Sequence, residues 1–138
     1  MIVVDTGPLY ALVDAAEPQH RAVTDLMAST EDLLVTTPLV LAELDHLLGT
    51  RLGEATRSRV MSRLAGGAVH LSPFDLSAFE AASETAERHG DLRLGLTDAS
   101  LVVAAEWFGT TRLLTLDRRH FSAVRPRHAP DEHFTLLP

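Results

Sequence analysis

The chain opens on Ile2-Val3-Val4-Asp5-Thr6 followed by Gly7-Pro8, and this start narrows the possible folds more than any later stretch. Three consecutive apolar, β-branched residues read as a buried strand. Pro8 suits the first turn of a helix, where its missing N–H is no loss. Asp5 then stands at the carboxyl end of the strand, the edge of an open α/β sheet outside which ligands bind. At this point two readings of Asp5 are open. It caps the following helix, or it belongs to a site.

The rest of the chain continues the alternation. Residues 9–13 form a short apolar helix, which Glu17-Pro18 interrupts. Residues 20–28 form a second, with Val23, Leu26 and Met27 on one side. Residues 32–36 read as the second strand. Thr37-Pro38 is a cap and first-turn proline, opening a helix over residues 39–48 that Gly49 closes. An arginine-rich helix over residues 54–64 ends at Gly66-Gly67, and residues 68–71 form a weak strand. Asp75 caps a helix with Leu76, Phe79, Ala82 and Ala86 in register, stopped by His89-Gly90. Residues 97–108 are apolar almost all round, Trp107 included, which predicts a buried central helix. Residues 112–117 and 133–137 supply the last strands. No tight hairpin signal appears. The order predicts one α/β domain over residues 1–138, with a mostly parallel central sheet flanked by helices on both faces.

Composition removes several functions. There is no cysteine, so disulfides, thiolate metal sites and cysteine nucleophiles are excluded. All 12 basic residues are arginine, and a P-loop lacks its lysine. No stretch approaches a membrane span and the start lacks a signal peptide's basic lead, which predicts a cytoplasmic protein with no membrane partner. The net charge of −7 opposes loose binding to nucleic acid. It is unevenly spread: residues 1–50 hold one arginine against eight acids, whereas residues 112–127 hold five arginines and only Asp117. A basic patch beside an acidic pocket is compatible with that distribution.

Four acids stand where structure alone would not choose them. At about 100° per residue, Leu39, Val40, Leu44, Leu47 and Leu48 fill half of their helix, and Glu43 falls inside that arc while Asp45 and His46 do not. Glutamate is rarely buried without a partner, so Glu43 either pairs with an arginine or edges a site. Asp98 opens the most apolar helix and Asp117 ends a strand on the face of Thr115; each has a capping role as its plain alternative. If Asp5, Glu43, Asp98 and Asp117 converge above the carboxyl edge of the sheet, they repel one another, and a divalent cation removes the conflict. Hard oxygen ligands suit Mg²⁺ or Mn²⁺, which hold a phosphate and prepare a water for attack. The histidines show no zinc-binding spacing, and no Gly-x-Ser-x-Gly elbow occurs. A haloacid-dehalogenase-type phosphatase needs an acid where Gly7 stands. Arg118, Arg119, Arg125 and Arg127 are candidate phosphate contacts, against the usual role of exposed arginine as a solvated face.

These motifs together resemble the PIN-domain ribonucleases of the VapC toxin type. The resemblance rests on Ile2-Val3-Val4-Asp5-Thr6, Val40-Leu41-Ala42-Glu43-Leu44, Leu96-Thr97-Asp98-Ala99-Ser100, and Leu114-Thr115-Leu116-Asp117-Arg118-Arg119-His120-Phe121, in this order over nearly the whole chain. It implies an acidic quartet of Asp5, Glu43, Asp98 and Asp117. Asp5 and Asp98 would be the main Mg²⁺ contacts, with Mn²⁺ able to substitute. Glu43 and Asp117 would complete the site directly or through water, and Thr6 and Thr115 would order it. It further implies endonucleolytic cleavage of structured RNA (tRNA or rRNA) leaving 5′-phosphate and 3′-hydroxyl ends, a homodimer, and a VapB-like antitoxin; Arg112, Arg118 and Arg119 are the expected RNA phosphate contacts. A groove near Leu9, Tyr10, Val23 and Met27 is the expected seat of the antitoxin tail, with core packing as the alternative. The competing functions are a non-toxin PIN nuclease of RNA processing and a PIN-like binding module that has lost catalysis.

Overall fold

β1 (Ile2–Val4) lies at the centre of a five-stranded parallel sheet in the computed structural model, which describes residues 1–138. Its three side chains are fully buried, each worth roughly 1.5–3 kcal/mol relative to exposure. β2 (Leu34–Thr36), β3 (His70–Leu71), β4 (Arg112–Leu114) and β5 (Thr135–Leu137) complete the sheet in the order β3-β2-β1-β4-β5. Val3 faces Val35 on one side and Leu113 on the other. The chain therefore winds outward from β1 through β2 to β3, then returns to the other side of β1. Parallel crossovers are right-handed, so the reversal puts the first and the third crossover on opposite faces of the sheet.

The helices are α1 (Thr6–Val13), α2 (His20–Ser29), α3 (Pro38–Arg51), α4 (Glu54–Arg63), α5 (Leu76–Arg88), α6 (Leu96–Trp107) and the single-turn α7 (Arg118–Phe121). Thr37 caps α3 through Val40 N, with Pro38 in its first turn, and Asp75 caps α5 through Ala78 N. α6 carries Ala99, Leu101, Val102, Ala104 and Ala105 into the core. None of these helices is long and apolar enough to cross a membrane.

Several expectations shift. β2 begins at Leu34 because Asp32 is taken by the Met1 ammonium and Arg112. α3 runs through Gly49 to Arg51. A Cβ at Gly49 would lie 3.1 Å from Arg57 Cδ, so this glycine admits the arginine that pairs Asp45 with Glu54. β4 stops at Leu114, leaving Thr115 and Asp117 in the turn beyond it. Trp107 is 67% exposed at the end of α6, and Leu76 and Phe79 are also exposed, so α5 packs through Ala82 and Thr85. The expected antitoxin groove is not open where it was placed. Leu9, Tyr10 and Val23 are buried, and with Met27 packed against the cluster they seal the α1–α2 pair.

Candidate active site

The order of the strands makes the site. β1 and β4 are neighbours from which the chain leaves in opposite senses, and the crevice outside their carboxyl ends is the switch point where α/β sheets take ligands. Asp5 follows β1 directly, and its N–H extends the ladder by donating to Leu114 O at 2.9 Å. Its side chain makes the capping bond and a second bond besides. One oxygen accepts from Thr6 N at 2.7 Å, at the start of α1, while the other accepts from the Thr115 hydroxyl at 2.7 Å. Thr115, fully buried, also accepts from Asp117 N at 3.0 Å. One hydroxyl thus ties the ends of β1 and β4 together. Gly7 helps: a Cβ there would meet the Leu116 side chain at 3.4 Å, so the turn after β4 lies directly against the first turn of α1.

The other two acids arrive on helices. Glu43 accepts from the Thr6 hydroxyl at 2.7 Å. It is exposed on the open side of α3, beside the buried line of Val40, Leu44 and Leu48. The periodicity put Glu43 inside the apolar arc because that arc is narrower in the fold than in the sequence. No arginine meets it. Asp98 sits in the first turn of α6, where it accepts from Gly95 N at 3.4 Å. A buried hydroxyl pair, Thr37 with Ser100 at 2.8 Å, pins the start of α3 to α6, and Ser100 also donates to Thr97 O. The helices bearing Glu43 and Asp98 are therefore locked to one another.

Asp117 caps α7 by accepting from His120 N at 3.1 Å. That single turn folds His120 back over its own cap. Its Nδ1 comes to 3.0 Å from Asp117 Oδ2 and 3.4 Å from Asp98 Oδ2. The sequence reading passed over His120, Thr37 and Ser100 as site residues. The available signal for His120 was its spacing, since a residue three after a helix cap lies one turn above it.

Electrostatics mark the cluster as strained. Asp5 is only 8% exposed, and burial pushes its carboxyl up to about 6, with the Asp98 and Glu43 charges adding to the rise. The Thr115 hydroxyl and Thr6 N–H oppose the shift without cancelling it. Asp98 is raised too, first by burial and then by Asp117 and Glu43, against the Gly95 N–H and His120. These mutual effects place the four acids in one neighbourhood. None of them pairs with an arginine, although the chain has 12 basic residues. As the side chains stand, no three His, Asp or Glu groups close on a common point as a chelate would. The donor set nevertheless fits a hard divalent cation: all oxygen and, His120 apart, without a basic side chain beside it.

The basic candidates separate. Arg112 starts β4, at the opposite edge of the sheet, and pairs with Asp32. It is too far along the strand to serve the acids, because a parallel strand presents only its carboxyl end there. Arg118 donates to Pro138 O at 2.6 Å and borders a cleft of about 250 Å³ shared with Gln19, Ala22, Thr115 and Leu116. Arg119 is exposed on α7. Arg127 is committed elsewhere, to Glu106 and Thr85.

Thr115→Val keeps the shape and removes the hydroxyl. A hydrogen bond to a charged group is worth about 1.5–3 kcal/mol, and a pKa unit about 1.4. The titration of Asp5, followed by carboxyl-carbon NMR, is expected to move up by roughly one unit. An unchanged titration would remove Thr115 from any electrostatic role.

Comparison with known proteins gives concordant matches. Residues 2–125 match the PIN domain family model. The chain is 43% identical over 137 residues to Ribonuclease VapC26 of Mycobacterium tuberculosis (strain ATCC 25618 / H37Rv), covering 99% of this chain and 100% of that protein. The crystal structure of Mycobacterium tuberculosis VapC20, described as a sarcin-ricin loop cleaving toxin, superposes with a TM-score of 0.82 at 25% identity, covering 91% of this chain and 100% of that one. VapBC2 from Rickettsia felis, crystallised on a DNA fragment from its promoter, shares the fold with a TM-score of 0.66 at 17% identity, covering 91% and 95%.

Proposed function

Because the chain belongs to the PIN-domain family, and within it to the VapC group, we propose that it is a Mg²⁺-dependent endoribonuclease, the toxin of a VapBC-type pair. The observation that carries this reading is the group of four carboxylates at the switch point, two of them held above their ordinary pKa and none paired with arginine. Such an arrangement costs stability unless a cation joins it. Asp5 and Asp98 would be the principal ligands, and Glu43 and Asp117 would complete the site directly or through water. Mn²⁺ would substitute. When bound, the ion supplies a water nucleophile at neutral pH and draws a phosphodiester toward an otherwise acidic pocket.

The chain's own residues do the positioning. Thr115 and Thr6 each donate to a carboxylate, Asp5 and Glu43 respectively, and so fix which lone pairs remain free to ligate. The Thr37–Ser100 bond holds α3 against α6, keeping the two helical acids in register. Arg118 and Arg119, beside Asp117, would take the phosphates flanking the scissile bond; Arg112, paired with Asp32, is left out of that role. The substrate is structured RNA, a tRNA or rRNA loop, and the products carry 5′-phosphate and 3′-hydroxyl ends. The protein acts in the cytoplasm as a homodimer, restrained by a VapB-like antitoxin. The named relatives support this reading: one bears the name ribonuclease and another is described as a toxin that cleaves the sarcin-ricin loop.

The test is cleavage by purified protein of total tRNA and of ribosomes, with 5′ ends mapped afterwards. Discrete new ends are expected with Mg²⁺, with activity falling at least 100-fold in excess EDTA and returning on addition of Mn²⁺. Cutting that continues undiminished in EDTA would exclude metal-activated water.

A further inference from the structure

We infer that His120 is a positioning residue of this site, its Nδ1–H held between Asp98 and Asp117 to fix the spacing of those two carboxylates for a divalent cation. The inference rests on the metal-dependent reading above and goes beyond it in naming a fifth member. Three observations carry it. The ring is largely withdrawn from solvent, and Nδ1 is a buried polar atom with no properly aligned hydrogen-bond partner in the protein. Such orphans are rare in native interiors and call for an explanation. The groups that Nδ1 approaches are Asp117 Oδ2 at 3.0 Å and Asp98 Oδ2 at 3.4 Å, one from the turn after β4 and one from α6. Lastly, the backbone enforces the placement. Asp117 caps α7 through His120 N, and Phe121, the next residue, is fully buried beneath.

The tautomer follows from the surroundings. An imidazole nitrogen is either an acceptor lone pair or an N–H donor. A lone pair aimed at two carboxylate oxygens would be repelled by both, so Nδ1 carries the hydrogen. That hydrogen points between the acids and aligns fully with neither, which suits a spacer more than a cap. With the ring removed, Asp98 and Asp117 face each other across open space with only like charge between them. Their side chains would then separate, and a cation that needs both would lose one.

Three variants test this at a single fixed pH. His120→Ala removes the donor; His120→Asn restores an N–H near the position of Nδ1; His120→Phe fills the space without a donor. Mn²⁺ binding is measured by calorimetry, RNA cleavage by kcat and KM, and folding by thermal melting. The alanine and phenylalanine variants are expected to bind Mn²⁺ roughly tenfold more weakly, the range for loss of a group that orients metal ligands. Their kcat should fall while KM for RNA stays near the original value, and the asparagine variant should recover most of both. Wild-type Mn²⁺ affinity in the alanine and phenylalanine variants would overturn the inference, as would an affinity loss that asparagine fails to rescue. Failure of the functional reading looks different. The unsubstituted protein would then bind Mn²⁺ without cutting RNA, and the binding series would still decide the role of His120.

Discussion

Asp5→Asn is expected to melt higher than the unsubstituted protein and to cut no RNA. Asparagine matches the carboxylate in shape and can still accept from Thr6 N. What it removes is a negative charge that is 8% exposed and lies near two other acids. In the folded state burial pushes the Asp5 carboxyl up to about 6, against 3.8 for an ordinary aspartate. Between those values the folded chain holds a proton that the unfolded chain has released. In the absence of metal, the contribution of Asp5 to stability is therefore greatest below pH 4, falls as pH rises toward 6, and levels off above. A raised carboxyl of this size corresponds to a penalty on the order of 3 kcal/mol at neutral pH. The asparagine would give back about 1 kcal/mol, because the Thr115 hydroxyl loses its acceptor. A net gain of about 2 kcal/mol raises Tm by roughly 5–10 °C in a domain of this size. Cleavage should fall by at least 1,000-fold. The decisive measurement is a pair of melting curves in chelator at pH 4.5 and pH 7.5, with the advantage of the variant present only at the higher pH. Equal melting temperatures at pH 7.5 would mean that the buried charge is not strained, and undiminished cutting would leave Asp5 a helix cap.

Phe121→Ala is the second large effect and acts from beneath the site. Phe121 is fully buried and meets Phe134 edge-on, with centroids 6.3 Å apart and planes at 87°. Truncating a phenylalanine in such a place costs roughly 3–5 kcal/mol, a fall in Tm of about 10–20 °C. The functional loss should exceed the fraction unfolded. α7 is four residues long, and a single turn has little stability of its own. Its anchors are the Asp117 cap and this ring, so losing the ring frees both Asp117 and His120. Cleavage measured well below Tm is expected to drop at least tenfold. Phe121→Leu, which keeps most of the volume, should cost far less stability and retain most activity. An alanine variant that is fully active at low temperature would show that α7 needs no anchor.

Much of this site could be read from residue order alone, and the gaps have physical causes. Asp5, Asp98 and Asp117 were legible because each interrupts an apolar element at its end, where a strand terminus or helix start offers an alternative that can be weighed. Glu43 was found for a partly different reason from the one that holds. Its helical angle places it beside Val40 and Leu44, but the fold turns that side of α3 to the open crevice. The parallel sheet was legible from its alternation, whereas strand ends were not. Thr115 and Asp117 continue the pattern of β4 although the ladder has already ended at Leu114. Gly49 misled as a helix stop because its cause, the side chain of Arg57, lies on another element. Trp107 misled in the opposite sense: apolar periodicity cannot tell the inward from the outward side at the last turn of a helix. His120 needed coordinates, since its meaning comes from Asp98, which is remote in sequence.

The central position of the first strand also has a consequence during synthesis. β1 is made first, yet one of its two neighbours, β4, is among the last elements to be made. The bond from Thr115 to Asp5 spans 110 residues of chain, so a growing polypeptide holds Asp5 with no Thr115 opposite it until the turn after β4 has been made. Domains fold as units when their parts have emerged. No truncated product stopping before residue 112 can assemble the crevice. A ribosome making this chain is thus accompanied by a segment without its acidic crevice until β4 and the turn after it have emerged.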